Sequence, residues 1–214
     1  MEFVDWGLID YEQSLHDQEV LVEKVAAEKA PGVVVFCSHP AVVTLGRKTQ
    51  PGDLFAWDGP VKEISRGGRA TYHGPSQQVV YPVVNLDVLE PHRDIAWYLR
   101  SLENAIIATL ADYGIEAVGK SLRKKSADDS GAEETGVWVG DKKIASIGIA
   151  VRKWITFHGA AINLDEDPKA FQGMNPCGFK SDVMTNLQRL TGKDVARQEF
   201  QQRLQKNLQK IFIH

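Results

Sequence analysis

Apolar positions recur at helical spacing near the start of the chain, at strand spacing through its middle, and at helical spacing again near its end. Over residues 10–29, Tyr11, Leu15, Val22, Val25 and Ala26 share one face of a 3.6-residue period, which predicts a helix ended by Pro31-Gly32. Residues 32–37 form a β-branched run with no polar interruption and read as a buried strand. Pro40 breaks the run, and residues 41–45 read as a second strand ending at Gly46. Residues 79–86 are a third, where Pro82 predicts an edge position or a bulge, because proline has no N–H to give to a ladder. An amphipathic helix follows, capped by Asp94 and stopped by Gly114, with Leu99, Leu102, Ile106, Leu110 and Tyr113 toward the core.

Residues 120–134 have almost no apolar content and read as a mobile surface loop. Closely spaced strands are expected at 136–139, 143–151, 155–158 and 160–164, joined by tight turns into an antiparallel meander. A last helix over residues 198–211 presents Phe200, Leu204, Leu208 and Ile211 to the core. Helices at both ends with strands between them predict an α+β fold, a mixed sheet flanked by helices. No linker divides the chain, so one domain is expected over residues 1–214.

Composition narrows the function classes. A formal net charge of −3 offers no concentrated basic surface for nucleic acid. No apolar run is long enough to span a bilayer. The opening residues carry Glu2, Asp5 and Asp10 and lack the basic-then-apolar order of a signal peptide. The expected compartment is the cytoplasm, where thiols stay reduced. Two cysteines make no disulfide framework, and no CxxC, HxxxH or HExxH spacing gathers metal ligands, so no metal site is expected. A serine triad is not expected either, for want of a GxSxG elbow.

Four segments carry candidate chemistry. In SRGGRATYHGPSQQ (65–78), paired glycines permit close backbone approach beside Arg66, Arg69 and His73. A tight loop and a substrate loop account for that pattern equally well. Cys177 stands between Pro176 and Gly178 outside any periodic element, where a reactive thiol is favoured over core filler. Cys37, by contrast, ends a buried apolar run and reads as structural. Lys143 enters a strand pointing away from Ile144, and on its own pattern reads as an exposed turn lysine. His158 precedes Gly159, Ala160 and Ala161, which fits a narrow pocket or a satisfied buried histidine.

Taken together, the segments resemble the lipoyl(octanoyl) transferases. The match runs from Asp10-Tyr11 through SHPAVVTLGR, RGGRATYHGPSQQ, GVWVGDKKIASIG, FHGAAINL and NPCG, in order and over nearly the whole chain. The resemblance implies the fold of biotin and lipoate ligase catalytic domains. It implies transfer of an octanoyl group from acyl carrier protein to a lysine of apo lipoyl domains, those of 2-oxoacid dehydrogenase complexes and of the glycine cleavage H protein, without a cofactor. Cys177 would hold the acyl group as a thioester and Lys143 would activate it. Substrate would be bound by Arg66, Gly67, Gly68, Arg69, Ala70, Thr71, Tyr72 and His73, by Ser146, Ile147 and Gly148, and by His158, Gly159, Ala160 and Ala161. Ser76 departs from the family's usual glycine and would be strained if that position required positive φ.

The chemistry suits these residues. An ordinary thiol is only about 3% thiolate at pH 7, and an ammonium nearby favours the charged form that attacks. One lysine can protonate the departing carrier thiol and then accept a proton from the attacking amine. The backbone N–H groups of Cys177 and Gly178, or one from the glycine loop, are the expected oxyanion donors. Tyr72, Ile147 and residues 159–161 are expected to wall the acyl slot, with His73 and His158 orienting the reacting pair. Arg66, Arg69, Lys142, Arg152 and Lys153 are expected to form a basic rim for acidic partner domains. The alternative is an ATP-dependent lipoate or biotin-type ligase on the same fold, which needs no nucleophilic cysteine. An amidotransferase between lipoyl domains and a non-catalytic carrier-binding protein are the remaining readings.

Overall fold

The computed structural model describes residues 1–121 and 134–212. The opening residues, which carry no clear sequence signal, form an edge strand, β1 (Glu2–Leu8). Helix α1 (Tyr11–Glu28) follows: the Asp10 side chain accepts from the N–H groups of Glu12 and Gln13, and Lys29 ends the helix at φ 50. The β-branched run becomes β2 (Gly32–Ser38), parallel to β1. Next come β3 (Val42–Leu45), β4 (Val61–Glu63), β5 (Thr71–His73) and β6 (Gln77–Val84). Helix α2 (Ile95–Ala111) starts at the Asp94 cap, as expected. Then follow β7 (Val118–Gly119), β8 (Gly136–Val139), β9 (Lys142–Arg152), β10 (Ile155–Asn163), α3 (Leu187–Thr191) and α4 (Arg197–Phe212).

Among the described residues, seven strands make the main sheet in the order β1-β2-β6-β10-β9-β8-β7, and three make a small second sheet, β4-β3-β5. The pairing is antiparallel from β2 to β7, so the expected mixed sheet and meander are both present. Because β2 is buried on both sides, its alternation divides one apolar run between two cores. Val34 and Phe36 pack under α2 and α4 with Leu102, Ile106, Leu204 and Leu208. Val33 and Val35 face the other way, with Val79 and Tyr81. Val22 and Val25 of α1 cover Val83, Ile155 and Phe157 on that second face.

Two sequence expectations change. Pro82 lies in β6, in the interior of the main sheet rather than at an edge. The β6–β10 ladder stops at the Val80–Ala160 pair, and past it the Thr156 hydroxyl donates to the Pro82 carbonyl and accepts from Val84 N–H. A side chain thus bridges the strands where proline cannot donate. The segments 155–158 and 160–164 belong to one strand, β10, not two. Gly159 keeps it continuous, since a Cβ there would fall 2.1 Å from the Val80 carbonyl oxygen. The charged segment read as a mobile loop falls mainly on residues 122–133, outside the described residues.

Candidate active site

Lys143 reaches the site through a β-bulge. Val137 of β8 pairs with Ala145 of β9, but the next residue, Trp138, pairs with Lys143, so Ile144 is one residue too many. Ile144 and Ala145 both enter the core under α2 and α4. Gly136 and Trp138 stand two apart on β8, so their partners Ser146 and Lys143 share a face although they are three apart on β9. Without the extra residue Lys143 would face the apolar core. The exposed turn lysine of the local pattern is overturned: Lys143 is fully buried. Its ammonium lies 5.6 Å from the Trp138 ring centre, and its stem fills the space Gly136 leaves.

Cys177 sits in a one-turn 3-10 segment, Pro176–Gly178, with φ 54 and ψ 20. A left-handed cysteine costs about 1–2 kcal/mol and persists only if its surroundings fix it. They do. Cys177 N–H donates to the Ala70 carbonyl at 2.9 Å, and Asn175 N–H to the Asp53 carbonyl at 2.8 Å. Asn175 Nδ2 donates to the Gly52 carbonyl at 2.9 Å. Asp53 and Arg69 form a buried ion pair, whose Nε–Oδ2 contact is 3.1 Å. The Arg69 guanidinium lies so close over Gly178 that a Cβ there would meet Nη1 at 2.2 Å. The cysteine turn therefore hangs from two loop segments locked together by one ion pair. Asp53→Asn leaves the guanidinium buried without its carboxylate and is expected to cost about 3–5 kcal/mol. A urea melt reads the change, and a loss under 1 kcal/mol would remove the ion pair from this role.

These ties engage two of the expected oxyanion donors and leave the glycine loop as the third. Cys177 N–H is spent on Ala70, and Gly178 N–H donates to the Asn175 carbonyl at 3.0 Å. Ser146 Oγ lies 3.9 Å from Cys177 Sγ.

Ser146 also lines a narrow cleft of about 20 Å³ between β9, β10 and the start of α1. Arg66, Thr71, His73, Ile147, Gly148, His158, Gly159, Ala160 and Ala161 line it as well. Tyr72 does not: β5 alternates, so Thr71 and His73 face the cleft and Tyr72 the opposite side. There Tyr72 packs on Trp57 and Phe171 and donates to Asp167 Oδ2 at 2.9 Å. Gly67, Gly68, Arg69 and Ala70 lie outside the lining and act as framework. Gly67 N–H donates to the Ile149 carbonyl, and the Gly68 carbonyl accepts from Lys48 N–H. Tyr11 and Tyr81 line the cleft although their sequence signals marked them only as helix and strand residues. Ser76 does not adopt a positive φ, so its departure from glycine brings no strain.

Of the five residues expected to form a basic rim, Lys142, Arg152 and Lys153 keep exposed side chains, whereas Arg66 and Arg69 do not. Arg66 and Arg69 are buried, Arg66 donating to the Thr44 carbonyl and hydroxyl. Arg152 pairs with Glu19, Lys153 with Glu23, and Lys142 donates to the Asp182 carbonyl.

The cleft is backed by neutral histidines. His39 Nδ1 faces the Ile9 carbonyl at 2.8 Å, which can only accept, so Nδ1 carries the proton and Nε2 accepts from the Tyr81 hydroxyl at 2.8 Å. Burial pushes His39 down to about 4 and His158 down to about 3, and drives His73 well below its ordinary value. His158 has φ 58, and its backbone N–H donates to Gln18 Oε1, a buried polar group on α1 that the periodicity did not single out. His73 stacks on Tyr11 with ring centres 5.5 Å apart. Both histidines line the cleft; the His73 ring also meets His39, and the His158 ring meets Phe157.

A mixed sheet with helices on both faces, and a cleft ending beside a buried cysteine, places the chain in the class of lipoate- and biotin-ligase folds. Lipoate-protein ligase A bound with ATP aligns with a TM-score of 0.69 at 18% identity, covering 98% of this chain and 84% of that one. The bipartite lipoate protein ligase structure from Thermoplasma acidophilum gives 0.68 at 15%, covering 98% and 82%. Biotin protein ligase from Aquifex aeolicus in complex with biotin and ATP gives 0.58 at 16%, covering 99% and 70%. At these identities the likeness is one of fold alone.

Sequence goes further. Residues 10–209 match the lipoyl protein ligase A/B catalytic domain. The octanoyltransferase of Bdellovibrio bacteriovorus is 54% identical, covering 98% of this chain and 97% of that one. The octanoyltransferase of Syntrophotalea carbinolica is 38% identical, covering 99% and 94%. The chain belongs to the lipoyl protein ligase A/B catalytic domain family and, within it, to the octanoyltransferases.

Proposed function

We propose that the chain takes an octanoyl group from acyl carrier protein as a thioester on Cys177 and passes it to a specific lysine of apo lipoyl domains. That is the first step of endogenous protein lipoylation. The observation that carries the reading is the bulge in β9, which turns a fully buried lysine onto the face where Ser146 meets Cys177. The Cys177 thiolate attacks the carrier thioester carbonyl. The carrier sulfur leaves with a proton from the Lys143 ammonium, giving a Cys177 thioester of nearly the same energy. The acceptor lysine's amine then attacks, Lys143 accepts its proton, and the Cys177 thiolate departs. The cleft beside Ser146 takes the acyl chain, each buried methylene contributing about 0.8 kcal/mol.

The acceptors in this reading are the lipoyl domains of 2-oxoacid dehydrogenase complexes and the glycine cleavage H protein. The whole chain, residues 1–214, acts as one acyltransferase domain. The cytoplasm suits its two free cysteines.

Intact mass spectrometry after mixing with octanoyl carrier protein, without ATP, tests the reading. One octanoyl adduct is expected on the native protein, removable by hydroxylamine and missing from Cys177→Ser. No adduct, with transfer appearing only when ATP and free octanoate are supplied, would instead establish the ligase reading.

A further inference from the structure

The oxyanion of each tetrahedral intermediate needs a donor, and the two backbone N–H groups at the nucleophile are committed elsewhere: Cys177 to the Ala70 carbonyl, Gly178 to the Asn175 carbonyl. Moving either would release the left-handed turn that presents the sulfur. Ser146 Oγ is a hydroxyl in contact with Cys177 Sγ, at 3.9 Å, and the residue is buried, with a relative exposure of 8%. Pairing with Gly136, which has no side chain, leaves it room on the face shared with Lys143. It stands where the cleft meets the cysteine, so an acyl carbonyl entering from the cleft passes it.

A thiolate has lone pairs and no proton, so once Cys177 is ionised the hydroxyl in this contact must be the donor. We propose that Ser146 is a catalytic residue that donates one hydrogen bond to the Cys177 thiolate and transfers it to the oxyanion in both half-reactions. This rests on the thioester reading above. In the first half-reaction the Sγ–C bond forms and the carbonyl π pair moves to oxygen, which the Ser146 O–H then faces. The pair returns as the carrier's C–S bond breaks and its sulfur takes a proton from Lys143. In the second, the acceptor nitrogen adds to the same carbon, Lys143 takes its proton, and the Cys177 C–S bond breaks. Ser146 keeps its proton throughout. It stabilises charge and is neither acid nor nucleophile.

Single-turnover acylation by octanoyl carrier protein tests this in native protein, Ser146→Ala and Ser146→Thr, beside labelling of Cys177 by iodoacetamide. Losing the donor is expected to slow acylation roughly 100-fold at saturating carrier. The carrier concentration for half-maximal rate should change little, Thr should restore the rate to within tenfold, and all three proteins should still be labelled. An Ala variant acylated within threefold of native overturns the role of Ser146 and leaves the thioester reading standing. If native protein is labelled by iodoacetamide yet never acylated, the thioester reading fails and the Ser146 role fails with it. A Thr variant as slow as Ala, with normal labelling, also overturns the inference, since shape rather than the hydroxyl would then be at work.

Discussion

Replacing Lys143 with methionine is expected to slow octanoyl transfer by about 10³-fold, within the range for a group that gives and takes protons, while leaving the chain folded. Methionine keeps the unbranched stem that lies over Trp138 and fills the space opposite Gly136, and it removes a charge from a fully buried position. A swap that conserves the length and volume of the buried stem usually costs less than about 1.5 kcal/mol in packing. In the proposed mechanism both half-reactions use the same ammonium or amine, so acylation and transfer should fall together. Single-turnover rates for each step, alongside a urea melt, separate the cases. Rates within tenfold of native in a folded variant would mean that Lys143 is structural and that another group moves the proton.

Lys143 also marks what the sequence could and could not tell. Its direction relative to Ile144 was legible from alternation, but its burial was not, because the bulge that rotates β9 is visible only against β8. Strands and helices with strong periods, such as β2 and α2, fell where their patterns put them. β1 was missed because its residues alternate weakly and it is only partly covered as an edge strand. Pro82 was misplaced because a hydroxyl 74 positions away supplies the bridge. In the candidate site, Cys177 stood out through Pro176 and Gly178, since constrained backbone around a thiol is a local signal. Asp53 gave none: its value lies in meeting Arg69 and the Asn175 N–H across irregular loops, and no period records that. Tyr72 was assigned to the wrong side for the same reason, as a three-residue strand is too short for its alternation to be read without a partner.

Acidification is expected to unfold the protein steeply, with stability flat above about pH 6.5 and falling through pH 5. His39, His73 and His158 are held neutral by burial, His39 down to about 4 and His158 to about 3. In the unfolded chain each returns to an ordinary value near 6.5. Below that pH the unfolded state binds protons that the folded state refuses, so stability falls as pH falls and is fully present above pH 6.5. Three such groups give a limiting slope of about 4 kcal/mol per pH unit, at roughly 1.4 kcal/mol each. Against a typical total of about 5–15 kcal/mol, two to three units of acidification suffice. Tyr11 and Tyr81, which pack on His39, are shifted upward by burial and stay neutral throughout this range. Asp165, half-buried and shifted upward, opposes the trend only weakly. Urea melts at pH 7, 6, 5 and 4 measure the slope, and His158→Gln should reduce it by about one third, since one of three proton-binding groups is gone. A stability that stays level from pH 6.5 to pH 5 would mean that water reaches these imidazoles, and the cleft would then be wet where the acyl chain is to lie.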